Sequence, residues 1–569
     1  MKRKQIKRQH LVQVVLLLLI IVLVNVIASL WYQRWDLTEE KRHSLSETSR
    51  ELLTSLDDVV YIKVYLDGNE LPSGFLRLQR KTREMLNNFR RYSPEVEYEF
   101  INLHEENDRE VRREIYKQLY DKGLEPSELK EGGQESYRQQ LLFPGAIVSY
   151  KGKEYPVNFI DNEGGGNIEY QINKAVSRLE QNFVQAFLRL TNPEVKKIAF
   201  IEGHGELDEY QTTDIMISLS EFYQIERIAI DGVLGALDDY EAIVVAKPSE
   251  RVNEKDKFII DQYLMHGGKA LWLVEWMGMS MDSLSDKSSS MALIRDINLD
   301  DLLFNYGVRI NPDLIQDLNS LSIPVAVNQS SGKPEFEPRQ WPFFPAILPK
   351  NEHRISKNVS VIRSQFVSSI DTVGEDPDIK KKFLLHTSQY SRTLGVPVKV
   401  SLDIVRQPPN PQLFNEGPQP IAVLLEGKFR SNFDMRIPQQ FVTDKDIDFR
   451  AYSEPTKQIL ISDGDMIRNY VKRIGDKHEP FPLGRDKYFD QQFTPGNKEF
   501  LLNCMNYLCG DEELINLRMR QVKLRLLDKG KVYEQGVFWV IFNTAVPILI
   551  VLLFGFVVLF IRRYKYKRR

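Results

Sequence analysis

Two uncharged apolar runs bracket the chain. Leu11 to Leu30 has only Gln13, Asn25 and Ser29 as polar residues, and Val537 to Ile561 is likewise uncharged, with Pro547 inside it. Twenty helical residues rise about 30 Å, the thickness of a hydrocarbon core, so each run predicts a membrane-spanning helix, at 11–31 and 537–561. Trp31, Tyr32 and Trp35 follow the first run as an interfacial aromatic belt. A cleaved signal peptide, with Val26 and Ala28 as a poor cleavage site, is the rival reading of the first run, and the length of the run argues against it. A buried soluble helix is the rival for the second, and 25 uncharged residues argue against that.

Between the runs the period changes. Val59 to Leu66 alternates like a strand, Phe75 to Tyr92 has helical spacing (Phe75, Leu78, Met85, Leu86, Phe89), and Val96 to Ile101 alternates again. That is a βαβ unit, whose two strands should be parallel. Ala146–Tyr150, a Lys151-Gly152-Lys153 turn and Glu154–Phe159 read as a hairpin, and Gln171 to Leu190 as an amphipathic helix. The order β-α-β-α-β-β-α over about 55–190 predicts a thioredoxin-like α/β domain. Its redox dithiol would follow the first strand, near Asp67 to Gly74, where no cysteine stands, so the domain reads as a scaffold.

From Val195 the pattern is of short apolar strands alternating with helices. Lys197–Ile201, Ile225–Ile230, Ala242–Ala246 and Ala270–Val274 are the strands; Thr212–Phe222 and Lys255–Met265 are helices, the second closed by Gly267-Gly268. This predicts a doubly wound parallel sheet over 195–510, with Gln458–Ser462 as a late strand and Asn497–Cys509 as the last helix. An insertion at about 285–455 interrupts it. Its Ser-rich Met281–Ser290, its Pro-, Trp- and Phe-rich Asn328–Pro349 and its Pro-rich Arg406–Pro420 read as loops or linkers. Residues 511–536 form a juxtamembrane segment.

Charge orients the membrane helices. Lys2, Arg3, Lys4, Lys7 and Arg8 precede the first run, and Arg34 is the one base in the ten residues after it. Arg562, Arg563, Lys565, Lys567, Arg568 and Arg569 follow the second run. Both basic tails (1–10 and 562–569) are therefore expected in the cytoplasm, with the middle in the periplasm. Arg518, Arg520, Lys523, Arg525, Lys529 and Lys531 compete on the far side of the second run, although only Lys529 and Lys531 fall within ten residues of it. At 569 residues the chain is too long for one core, and its net charge of -3 sets up no field that selects nucleic acid. Cys504 and Cys509 point about 140° apart on a helix, which disfavours a mutual disulfide.

The sharpest local signal is Glu202-Gly203-His204-Gly205-Glu206, directly after the first apolar strand, where open α/β sheets bind ligands. His204 with Glu202, Glu206 or Asp208 has the chemistry to bind a metal or move protons, and the turn could hold another ligand. It is not a dinucleotide fingerprint, because Asp208 stands at the third glycine position and would repel pyrophosphate. The plainer reading is a tight strand-to-helix turn with a hydrogen-bonded histidine. Asp463-Gly464-Asp465 follows the late strand and could meet His204 at the same edge; a solvated turn is the plainer reading there too. After Ala270–Val274 an amidotransferase-type enzyme would carry a nucleophilic cysteine, and Glu275 stands there instead; Gly278-Met279-Ser280-Met281-Asp282 only half-matches a serine elbow. In Ile515–Leu526, apolar residues alternate with Arg518, Arg520, Lys523 and Arg525, which reads as half-buried strand or an extended contact to anionic lipid or an acidic partner. No metal site or cofactor motif is expected, and no G-x-x-x-x-G-K-[ST] occurs, so energy for any transport must come from another chain.

Four segments in order resemble the gliding-motility ABC transporter auxiliary proteins of the GldG type: Trp35–Leu45, the EGHGE turn, Asn298–Val308, and Gly496–Leu508 followed by Gly510–Glu513. The resemblance implies an ABC permease and a cytoplasmic ATPase as partners. It also implies an outer domain related to class I amidotransferases but without their catalytic residues. The expectation is a non-enzymatic subunit, without cofactor, that packs on the permease and couples it to periplasmic or envelope components. A periplasmic ligand- or glycan-binding receptor using the crevice near His204 is the alternative, and a cryptic hydrolase using His204 and Asp463 is a third.

Overall fold

The computed structural model describes residues 15–20, 22–23, 45–68, 71–103, 108–131, 138–160, 168–191, 195–281, 283–284, 288–328, 335–350, 352–406, 409–436, 447–475, 477–485, 496–519 and 529–566. The chain divides into two units, 43–520 and a second composed of 1–42 with 521–569.

Unit 43–520 opens on α1 (Glu47–Thr54), β1 (Val60–Val64), α2 (Ser73–Tyr92), β2 (Val96–Phe100) and α3 (Arg109–Asp121). After a hairpin of Ser127–Glu131 and Arg138–Leu142 come β3 (Gly145–Tyr150), β4 (Lys153–Asn158) and α4 (Ile168–Thr191). The sheet order is β2-β1-β3-β4, with β1 parallel to β2 and β3 antiparallel to both β1 and β4. The parallel pair is the one that the βαβ pattern requires. Lys151 and Gly152 have φ of 46° and 77°, so two left-handed residues close the predicted hairpin tightly. The period-2 pattern sends Val60, Ile62 and Val64 into a core with Phe75, Leu78, Leu86 and Phe89 of α2 and Phe183 and Phe187 of α4. The Phe89 ring meets those of Phe183 and Phe187 edge-on, at 6.0 and 5.6 Å.

The second sheet uses β5 (Lys197–Glu202), β6 (Gln224–Ala229), β7 (Ala242–Ala246), β8 (Lys269–Leu273), β9 (Ile379–His386), β10 (Pro420–Gly427) and β11 (Thr456–Ile461), in the order β9-β10-β11-β8-β7-β5-β6. Five of these, from β11 to β6, are parallel; β10 runs against both β11 and β9. Helices α5 (Glu209–Ser220), α6 (Glu254–Met265), α7 (Asp300–Asn305) and α8 (Asn497–Leu508) cover the sheet. Alternate strand residues feed two cores. Ile198, Phe200, Val244, Leu271 and Ile459 pack with α5 and α8, whereas Ala199, Ile201, Val245, Trp272 and Leu460 pack with α6 and α7. A strand buried on both faces must be apolar throughout, which is why these strands read as continuous runs. Gly267, at φ 94°, lies just past the end of α6 as the sequence predicts.

The insertion departs from expectation. The Pro-, Trp- and Phe-rich stretch expected to be a loop forms a strand, Glu335–Ile347, paired antiparallel with Ser320–Asn328. Trp341, Phe343 and Phe344 are buried with Met277, Met279, Leu314 and Phe366 in a core of their own. Burying one such side chain is worth roughly 1.5–3 kcal/mol, enough to override the prolines' preference for loops. Ser289–Ala292, which begins at the end of the Ser-rich stretch, also pairs, with Val398–Ser401. Two further strands of the insertion, β9 and β10, extend the main sheet.

The alternating segment at 515–526 also differs. Glu512–Met519 is a helix, α9, that packs on α4 and α1, with Leu514 and Ile515 buried and Ile515 joining the core of the second sheet. Arg518 is on this helix, and Arg520, Lys523 and Arg525 lie outside the described residues. Both ends of unit 43–520 thus meet on α4. At the other end, Ser46 N and Ser49 Oγ each donate to Glu180 Oε1 of α4 at 2.6 Å.

Helix α10 (Lys529–Tyr566) carries Pro547 and contains the span Phe538–Tyr564, long and apolar enough to cross a membrane and exposed on all sides. It is the one such span among the described residues. In the first apolar run, residues 15–20 and 22–23 are helical; the rest of the expected 11–31 span, and Trp35–Ser44, lie outside the described residues.

Glu180→Ala removes the shared acceptor that pins α1. The expected result is a loss of roughly 2–3 kcal/mol in chemical denaturation and faster proteolysis within 45–54.

Candidate functional site

Parallel strands deliver their C-terminal ends to one edge of the sheet, and four of them end on charged residues. Beyond β5 lies Glu202-Gly203-His204, beyond β7 Lys247, beyond β8 Glu275, and beyond β11 Asp463 and Asp465.

His204 is buried, and both its ring nitrogens face carboxylates. Nδ1 lies 3.1 Å from Glu206 Oε1 and Nε2 lies 3.0 Å from Asp256 Oδ2. Its backbone N–H donates to Glu206 Oε2 at 2.7 Å, and its carbonyl accepts from the backbone N–H groups of Ser249 and Glu250. Asp256 is itself held by Gly232 N at 2.7 Å and Asn253 Nδ2 at 2.6 Å. Burial disfavours the imidazolium, but the Glu206 and Asp256 carboxylates overcome it and raise the His204 pKa. Gly205 is fixed by geometry: φ is 71°, and a Cβ there would lie 2.3 Å from Ser249 Oγ. Glu202 points elsewhere, paired with Arg227, whose guanidinium also donates to Leu207 O and Thr212 Oγ1. Asp208 caps α5 in a capping box with Gln211.

The second cluster centres on Lys247. Its Nζ lies 2.7 Å from both Glu275 Oε2 and Asp465 Oδ1, and Arg468 reaches Asp465 at 3.5 Å. Apart from the Lys247 ammonium, no donor approaches either Glu275 oxygen. Asp463 Oδ1 accepts from Asp465 N at 2.9 Å and Oδ2 from Gln365 N, on the insertion, at 3.0 Å. Burial first, then the neighbouring Asp465, push Glu275 up to about 8 and Asp463 up to about 7. Asp465 is likewise buried, yet Lys247 and Arg468 hold it below the usual carboxylate range. Burial also opposes the charge on Lys247, but Asp465 and Glu275 hold its pKa above the ordinary value.

The structure brings Glu206 to His204 and Asp463 to Asp465, but does not join the two groups. β8 and β7 lie between β11 and β5, a separation of about 14 Å over three strand spacings. Asp463 and Asp465 are 0% and 7% exposed, so theirs is a buried turn and not a solvated one. Sequence reasoning passed over Asp256 and Lys247 and noted Glu275 only as a missing nucleophile. The available signal was a charge directly after an all-apolar strand, as in Ala242–Ala246 then Lys247. Ser280, the half-matched elbow, is half-buried and bonded to Ser283. Among the described residues no group of three His, Cys, Asp or Glu is arranged to hold a metal ion.

Chemically, the edge stores charge within the protein. His204→Gln strands two buried carboxylates and should cost on the order of 3 kcal/mol at pH 6. Because the folded pKa of His204 is raised, its stabilisation is complete below the unfolded value near 6.5 and is lost as pH rises through the folded one. The difference between wild type and variant in denaturant titrations should therefore narrow at alkaline pH. Gly205→Ala should destabilise by about 1–3 kcal/mol at every pH.

Comparison with known proteins adds the following. Residues 39–149 match a domain of unknown function (DUF7088). An uncharacterized protein of Borreliella burgdorferi is 20% identical over 575 residues, covering 97% of this chain and 98% of its own. The solved N-terminal domain of mmIFT52 overlaps 55% of this chain and 97% of its own at 15% identity and a TM-score of 0.30, a likeness too slight to bear on the fold. Residues 195–504 match the family described as an ABC-type uncharacterized transport system. Since that match takes in the second sheet from β5 through most of α8, more than half of the chain, the protein belongs to this family of auxiliary components of ABC transport systems.

Proposed function

We propose that the chain is a non-catalytic auxiliary subunit that packs on an ABC permease through its terminal helices. In this reading it transmits ATP-driven movement to periplasmic or envelope partners, in a gliding-motility complex. Family membership implies association with transporter components such as a permease and an ATPase. One observation carries the finer reading: α1 and α9, the first and last helices of unit 43–520, pack together on α4. The first and last helices of that unit therefore share one support. A unit whose two ends share one support can move as one lever.

The edge of the second sheet supports the non-catalytic part. The position of an amidotransferase nucleophile carries Glu275, paired with Lys247, and His204 has both nitrogens occupied. The order β2-β1-β3-β4 supports a thioredoxin-like first domain, and the five parallel strands with helices on both faces support an amidotransferase-like second domain. The EGHGE turn and the segments at 298–308 and 496–508 support the gliding-motility assignment. The exposed apolar surface of α10, with Arg562 and Arg563 at its end, supports a span whose basic tail is cytoplasmic.

The chain solubilised in mild detergent should co-purify with a permease and an ATPase, and loss of α10 should abolish this. Protease added to intact spheroplasts should cleave within 43–520 and spare both tails. A chain that purifies alone, or a protected middle, contradicts the proposal. Loss of function in His204→Gln with normal assembly would favour the receptor reading instead.

A further inference from the structure

The cluster at the ends of β7, β8 and β11 has a charge imbalance that the fold leaves open. Two cations, Lys247 and Arg468, face three carboxylates, Glu275, Asp463 and Asp465. Asp465 meets both cations, and each oxygen of Asp463 accepts a backbone N–H. Glu275 is the surplus: it is 1% exposed, and the Lys247 ammonium, which it shares with Asp465, is the one donor that approaches it. With Asp463 ionised, a proton on Glu275 brings the group to neutrality; without it, one buried negative charge is left uncompensated.

Lys247 has no freedom to follow such a change. Its backbone is left-handed, at φ 56°, and Gly464 packs against its stem so closely that a Cβ there would lie 2.5 Å from Lys247 Cγ. The part able to yield is the turn Asp463–Arg468, which grips the insertion. Asp463 holds Gln365 N, and the neighbouring Ser462 Oγ donates to Ser368 O at 2.6 Å. From the insertion, the group facing the cluster among the described residues is the uncharged Gln365 N–H.

We propose that Lys247, Glu275, Asp463 and Asp465 form a proton-operated latch that clamps insertion segment 362–368 to the sheet while Glu275 is protonated and loosens it when that proton leaves. The pH window follows from the sign of the effect. In the closed form Glu275 and Asp463 keep their protons up to about 8 and about 7. Once opened to solvent, they ionise in the ordinary carboxylate range, near 4. Opening is thus suppressed in mild acid, grows by about tenfold per pH unit for each proton held, and levels off above pH ~8. An auxiliary subunit facing a compartment of variable pH would in this way change how firmly its insertion is held.

The test uses the full chain in detergent and amide hydrogen exchange read by mass spectrometry between pH 5.5 and 8.5, corrected for the intrinsic pH dependence. Segments 362–368 and 463–468 should open together, by at least about tenfold per pH unit up to pH ~7. Glu275→Gln should flatten that slope by about tenfold per unit. Asp463→Asn, which keeps an acceptor for Gln365 N, should flatten it as well, and serves if the first variant does not fold. A purely structural role would shift protection equally at every pH. Equal slopes in wild type and variants, or opening that falls with rising pH, would overturn the latch.

Discussion

Charges at the ends of buried strands have to be answered within the protein. β7, β8 and β11 run between two helical layers and send apolar residues into both cores, so the residue that follows each one emerges in a poorly solvated place. Lys247, Glu275, Asp463 and Asp465 stand there, and the ammonium of Lys247 lies 2.7 Å from two carboxylates. The left-handed backbone at Lys247, the missing side chain at Gly464 and the Asp463 cap on Gln365 all serve that meeting. Its consequence for function is direct: the edge at which open α/β sheets receive ligands is occupied by the chain's own side chains.

The same logic organises the neighbouring strand end. His204 stays buried because Glu206 and Asp256 flank it, and Asp256 is fixed beside it by the donors Gly232 N and Asn253 Nδ2. The loop from Lys247 to Glu250 links the clusters: its first residue enters one, and the backbone of Ser249 and Glu250 binds His204 in the other. Farther along the chain, Asp511 binds Lys196 and Tyr223 at the start of the second sheet, just before α9 docks on α4. The end of unit 43–520 is thus tied both to the second sheet and to α4. That arrangement suits a subunit that transmits movement better than one that encloses a substrate.

Much of the architecture was legible in the sequence because it rests on periodicity. Val60 to Val64 alternates, Phe75 to Phe89 repeats at helical spacing, and Ala242–Ala246 is unbroken apolar sequence; each became the element expected. The insertion was not legible, because proline and serine content signals loops while Trp341, Phe343 and Phe344 supply a core that only tertiary contact reveals. α9 was misread because Ile515, Leu517 and Met519 alternate in sequence, although burial of the adjacent Leu514 and Ile515 decides the conformation. At the site, the glycines of EGHGE marked a turn correctly. Pairing His204 with Asp463 failed because both follow strands of one sheet, and sequence does not say how many strands lie between them.

Reagent access to Lys247 tests the closed edge most directly. In native full-length chain treated with a small amine-reactive reagent and analysed by mass spectrometry, Lys247 should remain unmodified while exposed Lys255 reacts completely. Labelling of Lys247 as fast as Lys255 would mean that the strand-end crevice is open to small molecules, and the account of an edge sealed by its own charges would be wrong.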